Sequence, residues 1–571
     1  MGQTFDPPLG LLESFLEHNR ELIARDAEKV EQELGEPIKA SLGQARSRAA
    51  QYRLISAAHD RAERLFAADA RAHSKEALMS FLRRAPRAFL DRSELLLAVL
   101  TAKYGAPEPA ASLSGRVEGG FPLALVVGPG DLRTFFRLIA LARSIHSLQG
   151  LRRLVGKGGT LVVTPDGGLR VDLSPALRRA VDYYERRRPV SALFDSGGYF
   201  ARASRNGMSG HAVPVVLPLS EARYIRSRAG GDLRLYFEAR FAAFDAGPLG
   251  RLLRGYETPL LEAVRVSPEA ILHFLTALTL LILRSVPDWP EQGEAFESDD
   301  DQLEPKLQFL FGLSRKGYLR MPKDHLADRI GQMASPAAAA GAQSRRLAQE
   351  FIEALAIRPE EAGRIDVACP GTAPFLHIST DDHIYIDLLL LPDFLAGLLE
   401  RCKQWYASQH GDRFVLDLKR WLDQAAPGAV IGARVPVALP GGSGRTDIDL
   451  LVEAQGAAWV VECKAFGKSP AFMMGDPKAV SQRRSKIRAA VRQAGRTAMS
   501  LAREVRVGRT KLAADIPVRW LVCTPSVEWL HPLDEHGIAA PDIPAVLTPE
   551  ELLKLISSSQ PSRTAPSRSA T

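Results

Sequence analysis

The chain has 571 residues, of which 46% are hydrophobic and 25% are charged, a composition typical of soluble globular proteins. This length exceeds what one hydrophobic core holds, so we expect roughly two to four domains. The four cysteines lie far apart and show neither a zinc-binding nor a disulfide pattern, which argues against a small secreted scaffold. The first residues also lack the pattern of a secretion signal, and we therefore expect a cytoplasmic protein.

The formal net charge of +8 favours polyanionic partners such as nucleic acid, although many basic proteins bind none. The most apolar segment, residues 271–286, is shorter than the roughly 20 residues that cross a bilayer. It also contains His273. We expect a buried helix in this segment and no membrane partner.

The amino-terminal two thirds of the chain show fold patterns without a recognisable chemical motif. Apolar side chains recur at spacings of three and four in residues 10–100, which predicts a helical domain over residues 1–112. Residues 113–395 mix helical patterns with short apolar runs, and we expect helix-rich, mixed α/β structure there. Residues 559–571 have no apolar periodicity, which predicts a disordered tail.

The order of predicted elements is clearest in residues 396–558, where it reads αβββαβ and ends with a further helix. Such an order predicts an α/β domain in which helices pack on a sheet. The predicted helices are 411–425, 481–505 and 548–556, and the predicted strands are 429–439, 446–453, 457–465 and 517–525.

The second and third of these strands form a predicted hairpin around Gln455 and Gly456. A turn centred on these residues places Asp449 opposite Glu462, and Asp447 opposite Lys464. Because side chains alternate across a strand, all four share one face, whereas the other face is apolar.

Two carboxylates at opposed positions of a sheet repel each other, since their Cβ atoms are only about 5 Å apart. A divalent cation between Asp449 and Glu462 would offset this repulsion, and oxygen ligands suit Mg²⁺. Lys464 is then placed to orient a water molecule for attack on a phosphate. The alternative is a solvated hairpin face on which Asp447 pairs with Lys464.

This arrangement, Asp449 followed by Glu462-Cys463-Lys464, resembles the active-site motif of the PD-(D/E)xK nuclease superfamily. The resemblance covers residues 396–558 and implies a restriction-endonuclease-like core. It also implies that Asp449, Glu462 and the backbone carbonyl of Cys463 bind Mg²⁺, which Mn²⁺ can replace. Lys464 would position the nucleophilic water, so that Asp449, Glu462 and Lys464 form the catalytic set.

The sequence departs from the family pattern at two places. The proline of the Pro-Asp dipeptide is absent, and Asp447 is a competing candidate for the metal role of Asp449. The preceding helix lacks the glutamate that many members carry, and Asp417 is a candidate substitute. Gln493 occupies a position where some branches of the family have a supporting glutamine.

The long helix predicted after the hairpin has an apolar stripe and, separate from it, arginines at every fourth position. These arginines suit bidentate contacts with phosphate, and Lys468 in the preceding loop is a further candidate contact. A solvated helix surface is the alternative. We call the arginine row the basic ridge; it consists of Arg484, Arg488, Arg492 and Arg496.

Together these patterns predict a Mg²⁺-dependent endonuclease with DNA as the expected substrate. The architecture is similar to that of bacterial antiphage or restriction-type effectors, with an amino-terminal region for sensing or assembly. Whether the chain forms a homo-oligomer or has a protein partner stays open. The alternatives are a non-catalytic nucleic-acid-binding module and a scaffold protein with a degenerate nuclease fold.

Overall fold

The computed structural model shows a mostly helical protein with several small sheets and one larger carboxy-terminal sheet. The predicted tail and the predicted boundary at residue 112 lie outside the described residues. The structure describes residues 20–73, 75, 78, 94–106, 129–187, 200–202, 212–216, 241–284, 318–334, 338–365, 367, 375–378, 382–387, 390–408, 411–438, 444–530, 538–540 and 543–557.

Among the described residues of the amino-terminal unit there are four helices, as the helical periodicity predicts, and a β-hairpin. The helices pack through one apolar core that includes Ile55, Phe66, Phe136 and Leu141. The last of these helices lies beyond residue 112, so helices on both sides of the predicted boundary share this core. The elements are α1 (Arg20–Leu42), α2 (Arg48–Ala70), α3 (Glu94–Tyr104), α4 (Pro129–Gly156), β1 (Thr160–Val163) and β2 (Leu169–Asp172).

The middle of the chain contributes helices and two three-stranded antiparallel sheets, with strand orders β3-β5-β4 and β6-β8-β7. The apolar segment that contains His273 is helical, and its described part packs in the protein core. No helix among the described residues is long and apolar enough to cross a membrane. The elements are α5 (Pro175–Arg186), β3 (Phe200–Arg202), β4 (Ala212–Val216), β5 (Phe241–Asp245), α6 (Ala246–Gly255), α7 (Pro268–Arg284), β6 (Tyr318–Pro322), α8 (Lys323–Ala334), α9 (Ala338–Leu355), β7 (Leu376–Ile378) and β8 (His383–Asp387).

The carboxy-terminal elements form a five-stranded sheet in the order β15-β12-β11-β10-β9. Strands β9, β10 and β11 are antiparallel, whereas β12 and β15 run parallel to β11. The predicted helix 411–425 is present with these bounds, and the other predicted elements lie within a few residues of their predicted ends. The elements are α10 (Leu391–Ala407), α11 (Gly411–Ala425), β9 (Val430–Ala438), β10 (Arg445–Ala454), β11 (Ala457–Cys463), α12 (Pro477–Arg506), β12 (Val518–Cys523), β13 (Ile538–Ala540), β14 (Ile543–Pro544), β15 (Val546–Leu547) and α13 (Pro549–Ser557).

Helices cover both faces of this sheet. On one face, Leu450 and Trp459 pack in a large core with α10, α11, α13 and the helices of the middle region. On the other face, Leu451 and Val460 pack under the apolar stripe of α12. The predicted boundary at residue 396 therefore lies inside a helix, α10, whose core is shared with the residues before it.

The β10–β11 turn has the geometry that a two-residue hairpin requires. Gln455 and Gly456 both have positive φ, at 52° and 65°, and Ala454 pairs with Ala457 across the turn. Positive φ at both central residues is the type I′ pattern, which matches the twist of the flanking strands. The turn therefore fixes the register of the hairpin.

We expect Gly456→Ala to lower the free energy of unfolding by about 1 kcal/mol, because an L-residue is disfavoured at this φ. A Cβ at Gly456 has open space, so the cost is purely conformational. Gly495→Ala is the control, because this glycine lies inside α12 and its Cβ would make an ordinary contact with Trp520 at 3.8 Å. Denaturant titration should show destabilisation by the first substitution and stabilisation by the second; equal effects would contradict the turn assignment.

Candidate active site

The hairpin brings Asp449 and Glu462 to the same level of the sheet. The antiparallel ladder runs from Ala454–Ala457 to Leu450–Val461, which is the predicted register. Asp449 and Glu462 occupy the next position, where the ladder ends. There the backbone N–H of Cys463 donates a hydrogen bond to Oδ2 of Asp449 over 2.8 Å.

Glu462 is almost completely buried, with 1% of its surface exposed. It lies beside Val522 of the neighbouring strand, and Val522 packs against Ile487 and Ala494 of α12. The Oε1 atom of Glu462 is 2.5 Å from Nζ of Lys464. Its Oε2 atom is buried without a hydrogen-bond partner among the described residues. Lys464 thus pairs with the Glu462 carboxylate through one oxygen, and the other oxygen has no hydrogen-bond partner among the described residues.

The electrostatics of both acids reflect this burial. Loss of solvent raises the pKa of Glu462; the hydrogen bond from Lys464 lowers it in part, and the charge of Asp449 raises it further. Burial also raises the pKa of Asp449, and it outweighs the hydrogen bond from the N–H of Cys463 and the charges of Lys464 and Arg434, which lower that pKa. A bound cation would reverse both shifts, since it stabilises the ionised carboxylates.

Two residues that the sequence analysis did not select, Asp412 and Arg434, also belong to this site. Strand β9 pairs with β10 so that Arg434 stands at the level of Asp449. The guanidinium of Arg434 donates a hydrogen bond to Asp412 in the first turn of α11. It also interacts electrostatically with Asp449 and Asp447.

The candidate Asp417 has other partners. It lies in the apolar stripe of α11 and is buried, and its oxygens contact Tyr406 at 3.2 Å, Arg413 at 3.2 Å and Arg420 at 3.3 Å. These contacts do not connect it with Asp449, whereas Asp412 on the same helix does act on that carboxylate. The acid of α11 that neighbours the site is therefore Asp412 and not the predicted Asp417.

The side chain of Asp447 is exposed at the start of β10. It is one of the acids that act on Arg434, and it lies two positions from Asp449 on the same strand. The thiol of Cys463 points into the core, where burial raises its pKa. The contribution of Cys463 to the site is therefore through its backbone.

The loop after Lys464 is fixed by buried polar contacts. The side chain of Arg483 bonds to the carboxylate of Glu528 and donates to the carbonyl oxygens of Phe466 and Gly467. The carbonyl oxygen of Lys468 accepts a hydrogen bond from Gln404 over 2.8 Å. These contacts hold the segment that connects the site to α12.

The prediction that Lys468 contacts a nucleic-acid backbone does not fit its position. The residue is 7% exposed, and its ammonium group lies 6.0 Å from the ring centre of Tyr184. It also acts electrostatically on the buried Glu400. Lys468 is therefore part of an internal charge cluster.

The basic ridge lies along α12, next to its buried stripe. Arg492 and Arg496 are exposed, whereas Arg484 and Arg488 are partly buried. Burial, and then the charges of Arg484 and Arg492, lower the pKa of Arg488, which shows that the ridge concentrates positive charge. Gln493 is half exposed, one residue before Ala494, which packs over Val522 beside Glu462.

Among the residues that the structure describes, no group of three or more His, Cys, Asp or Glu side chains is placed to hold a metal ion. The candidate site offers two neighbouring carboxylates, one with an uncompensated oxygen. Such a pair suits Mg²⁺, which keeps several of its water ligands and needs few protein oxygens. The residues present therefore fit a partly hydrated Mg²⁺ ion and not a metal enclosed by protein side chains.

The chain matches no protein-family model, no curated protein and no solved structure.

In the metal-free protein, we expect Glu462 to lower the stability of the fold as the pH rises, because it must ionise in a buried position. Its folded-state pKa is raised, so its stabilising effect is complete below the unfolded-state pKa and is lost as the pH rises through the folded-state pKa. Glu462→Gln should remove this contribution, so that the free energy of unfolding in EDTA falls less, or rises more, with pH than in the wild type. Glu453→Gln, at an exposed position of β10, should keep the wild-type slope. An unchanged slope in Glu462→Gln would contradict the assignment.

Proposed function

We propose that the protein is a Mg²⁺-dependent nuclease that hydrolyses phosphodiester bonds of nucleic acid, with DNA as the expected substrate. The observation that carries this proposal is the buried Glu462 carboxylate, which has one oxygen without a partner and stands beside Asp449. Lys464 offsets the charge of this carboxylate at one oxygen, and a buried oxygen that lacks a hydrogen bond is costly, which supports a ligand-binding role for the other. The strand and helix order around the pair supports a restriction-endonuclease-like core.

Asp449, Glu462 and Lys464 each have a defined chemical role in this proposal. Asp449 and Glu462 would each supply a carboxylate oxygen to the metal; the two acids interact electrostatically, and the N–H of Cys463 orients the Asp449 carboxylate. The ammonium of Lys464 is held by Glu462 Oε1 and is partly exposed, so it can orient a water molecule towards a phosphate. The backbone carbonyl of Cys463 completes the proposed ligand set.

Hydrolysis requires a water oxygen to bond to phosphorus while one P–O ester bond breaks and the leaving oxygen gains a proton. Mg²⁺, when bound, would supply charge neutralisation at the phosphate and a lower pKa for its water. Lys464 would donate hydrogen bonds and orient the attacking water, whose proton passes to solvent, and the leaving oxygen would take up a proton from solvent. Mn²⁺ shares the preference for oxygen ligands and should replace Mg²⁺.

The basic ridge supports a polyanionic substrate. Its arginines follow one line on α12, the helix that covers Glu462. Closely spaced like charges on a helix are unfavourable unless an anion offsets them. A phosphate backbone along Arg492 and Arg496 would do so, and the same helix would connect the backbone to the site.

The wider biological role is also a proposal. A cytoplasmic restriction-type or antiphage effector would use the amino-terminal helices for sensing or assembly, and these helices do contact the loop that follows Lys464. A non-catalytic binding module is the second candidate. That candidate is favoured because no group of three or more metal-ligating side chains is found among the described residues.

We expect purified protein to cleave DNA in Mg²⁺ or Mn²⁺ and not in EDTA. Asp449→Asn, Glu462→Gln and Lys464→Met should each lower the rate at least about 100-fold, the usual size of such contributions. Asparagine keeps the oxygen that accepts the N–H of Cys463, so this variant tests the charge and not the fold. Supercoiled plasmid, linear duplex, single-stranded DNA and RNA should be compared in the same assay.

Glu453→Gln is the matched control for this assay, since it changes an exposed acid at the other end of β10 and should cleave at the wild-type rate. Cleavage in EDTA, or full activity of the Asp449 variant, would contradict the metal-dependent mechanism. If wild type cuts no substrate, calorimetric titration with Mn²⁺ decides between the candidates. Binding that is lost in Asp449→Asn would favour a nuclease that awaits its activator or substrate, and absence of binding would favour the non-catalytic module.

The ridge predicts a salt-dependent affinity for nucleic acid. We expect the double substitution Arg492→Gln and Arg496→Gln to reduce the slope of log Kd against log salt by about 1.8, because each lost phosphate contact removes about 0.9. Fluorescence anisotropy with a labelled duplex in EDTA measures this slope without cleavage. Arg25→Gln, at an exposed position of α1, is the control and should leave the slope unchanged. An unchanged slope in the double variant would identify the ridge as a solvated surface.

A further inference from the structure

Arg434 adopts a backbone conformation that its strand does not require. Its φ is 51°, a left-handed value that costs an L-residue free energy. Three other non-glycine residues among those described have positive φ: Arg265 ends a helical segment, Gln455 is in the hairpin turn and Asp382 directly precedes β8. Arg434 is the one that lies inside a strand. Strain of this kind tends to be retained at functional positions.

The position of Arg434 in the sheet places this strained residue beside the Asp449–Glu462 pair. The pairs Ile448–Val435 and Leu450–Ala433 of β10 and β9 flank Arg434, which places Arg434 at the level of Asp449. Glu462 lies at the same level on β11, the other neighbour of β10. An arginine, an aspartate and a glutamate therefore lie at one level across three adjacent strands.

The guanidinium of Arg434 is anchored and still accessible. It donates a hydrogen bond from Nη2 to Asp412, and about half of the side chain, 49%, is exposed. Of its five N–H donors, only that group has a hydrogen-bond partner among the described residues. A guanidinium with several open donors suits two oxygens of one phosphate.

We propose that Arg434 binds a non-bridging phosphate oxygen of the substrate beside the Asp449–Glu462 pair, and that Asp412 holds it in place. This inference rests on the proposed nuclease function. Arg434 is a substrate-binding residue here, and Asp412 is a positioning residue. Two simpler roles are a structural link between β9 and α11, and a counter-ion for Asp449.

The experiment measures binding of a short fluorescein-labelled DNA duplex, and of the single strand, in Ca²⁺ at several salt concentrations. Arg434→Gln should weaken binding roughly tenfold, as expected for one lost charge-assisted contact, and should reduce the salt slope by about 0.9. Asp412→Asn should have a smaller effect in the same direction. Arg170→Gln is the matched control, because Arg170 is also an exposed strand arginine bonded to an aspartate, Asp172.

Arg434→Gly separates the binding role from folding. Glycine relieves the left-handed strain, so the melting temperature should rise or hold while duplex binding weakens as in Arg434→Gln. A lowered melting temperature with unchanged binding would overturn the proposal in favour of a structural link. Altered Mn²⁺ affinity with unchanged binding would overturn it in favour of a counter-ion.

The failure of this inference is distinguishable from the failure of the proposed function. If wild type binds and cleaves DNA and the Arg434 variants match it, only the role of Arg434 is wrong. If wild type neither binds nor cleaves any substrate, both proposals are overturned. Weakened binding in both Arg434 variants, with normal behaviour of Arg170→Gln, supports the assignment.

Discussion

Strand β11 is covered by helices on both faces, and this burial sets the conditions for every charged group at its end. All seven of its residues are buried, including Glu462. A carboxylate in that position loses its hydration, and among the described residues the cation that contacts it is Lys464, two positions along the chain. The hairpin register then adds a second acid, Asp449, at the same level. The chemistry of the site thus follows from burying a strand whose last residues are charged.

The amino-terminal helices are held against the carboxy-terminal unit by contacts that tolerate little change. A Cβ at Gly156, the last residue of α4, would lie 1.6 Å from the carbonyl oxygen of Gly475 in the loop before α12. Arg152 of α4 also contacts the sulfur of Met474. Farther along, Arg187 forms a bidentate ion pair with Glu551 of α13, at 2.6 Å for each oxygen. A displacement of the helical unit would therefore reach the segment that follows Lys464.

Local patterns predicted the carboxy-terminal unit well because its determinants are local. The alternation of the hairpin and its turn residues fixed the register of Asp449 against Glu462, and periodicity located α11 and the stripe of α12. The same periodicity places Asp417 in the apolar stripe of α11, so its burial was readable from the sequence. Asp412 and Arg434 were missed because their proximity depends on how α11 packs beside β9, and because no local rule predicts a left-handed arginine inside a strand. The shared cores across residues 112 and 396 likewise depend on long-range packing.

In the proposed nuclease, the charges around the candidate site would make the ridge and the site act in sequence. Among the described residues, four acids, Asp412, Asp447, Asp449 and Glu462, interact with two cations, Arg434 and Lys464. The fully ionised set carries two excess negative charges, the amount that one divalent cation offsets. A phosphate approaching this set without a metal would meet net repulsion, whereas the arginines of α12 would attract it with or without the metal, most strongly at low salt. Binding along the ridge should therefore precede engagement of the scissile phosphate. The metal would then control the second step and leave the first unaffected.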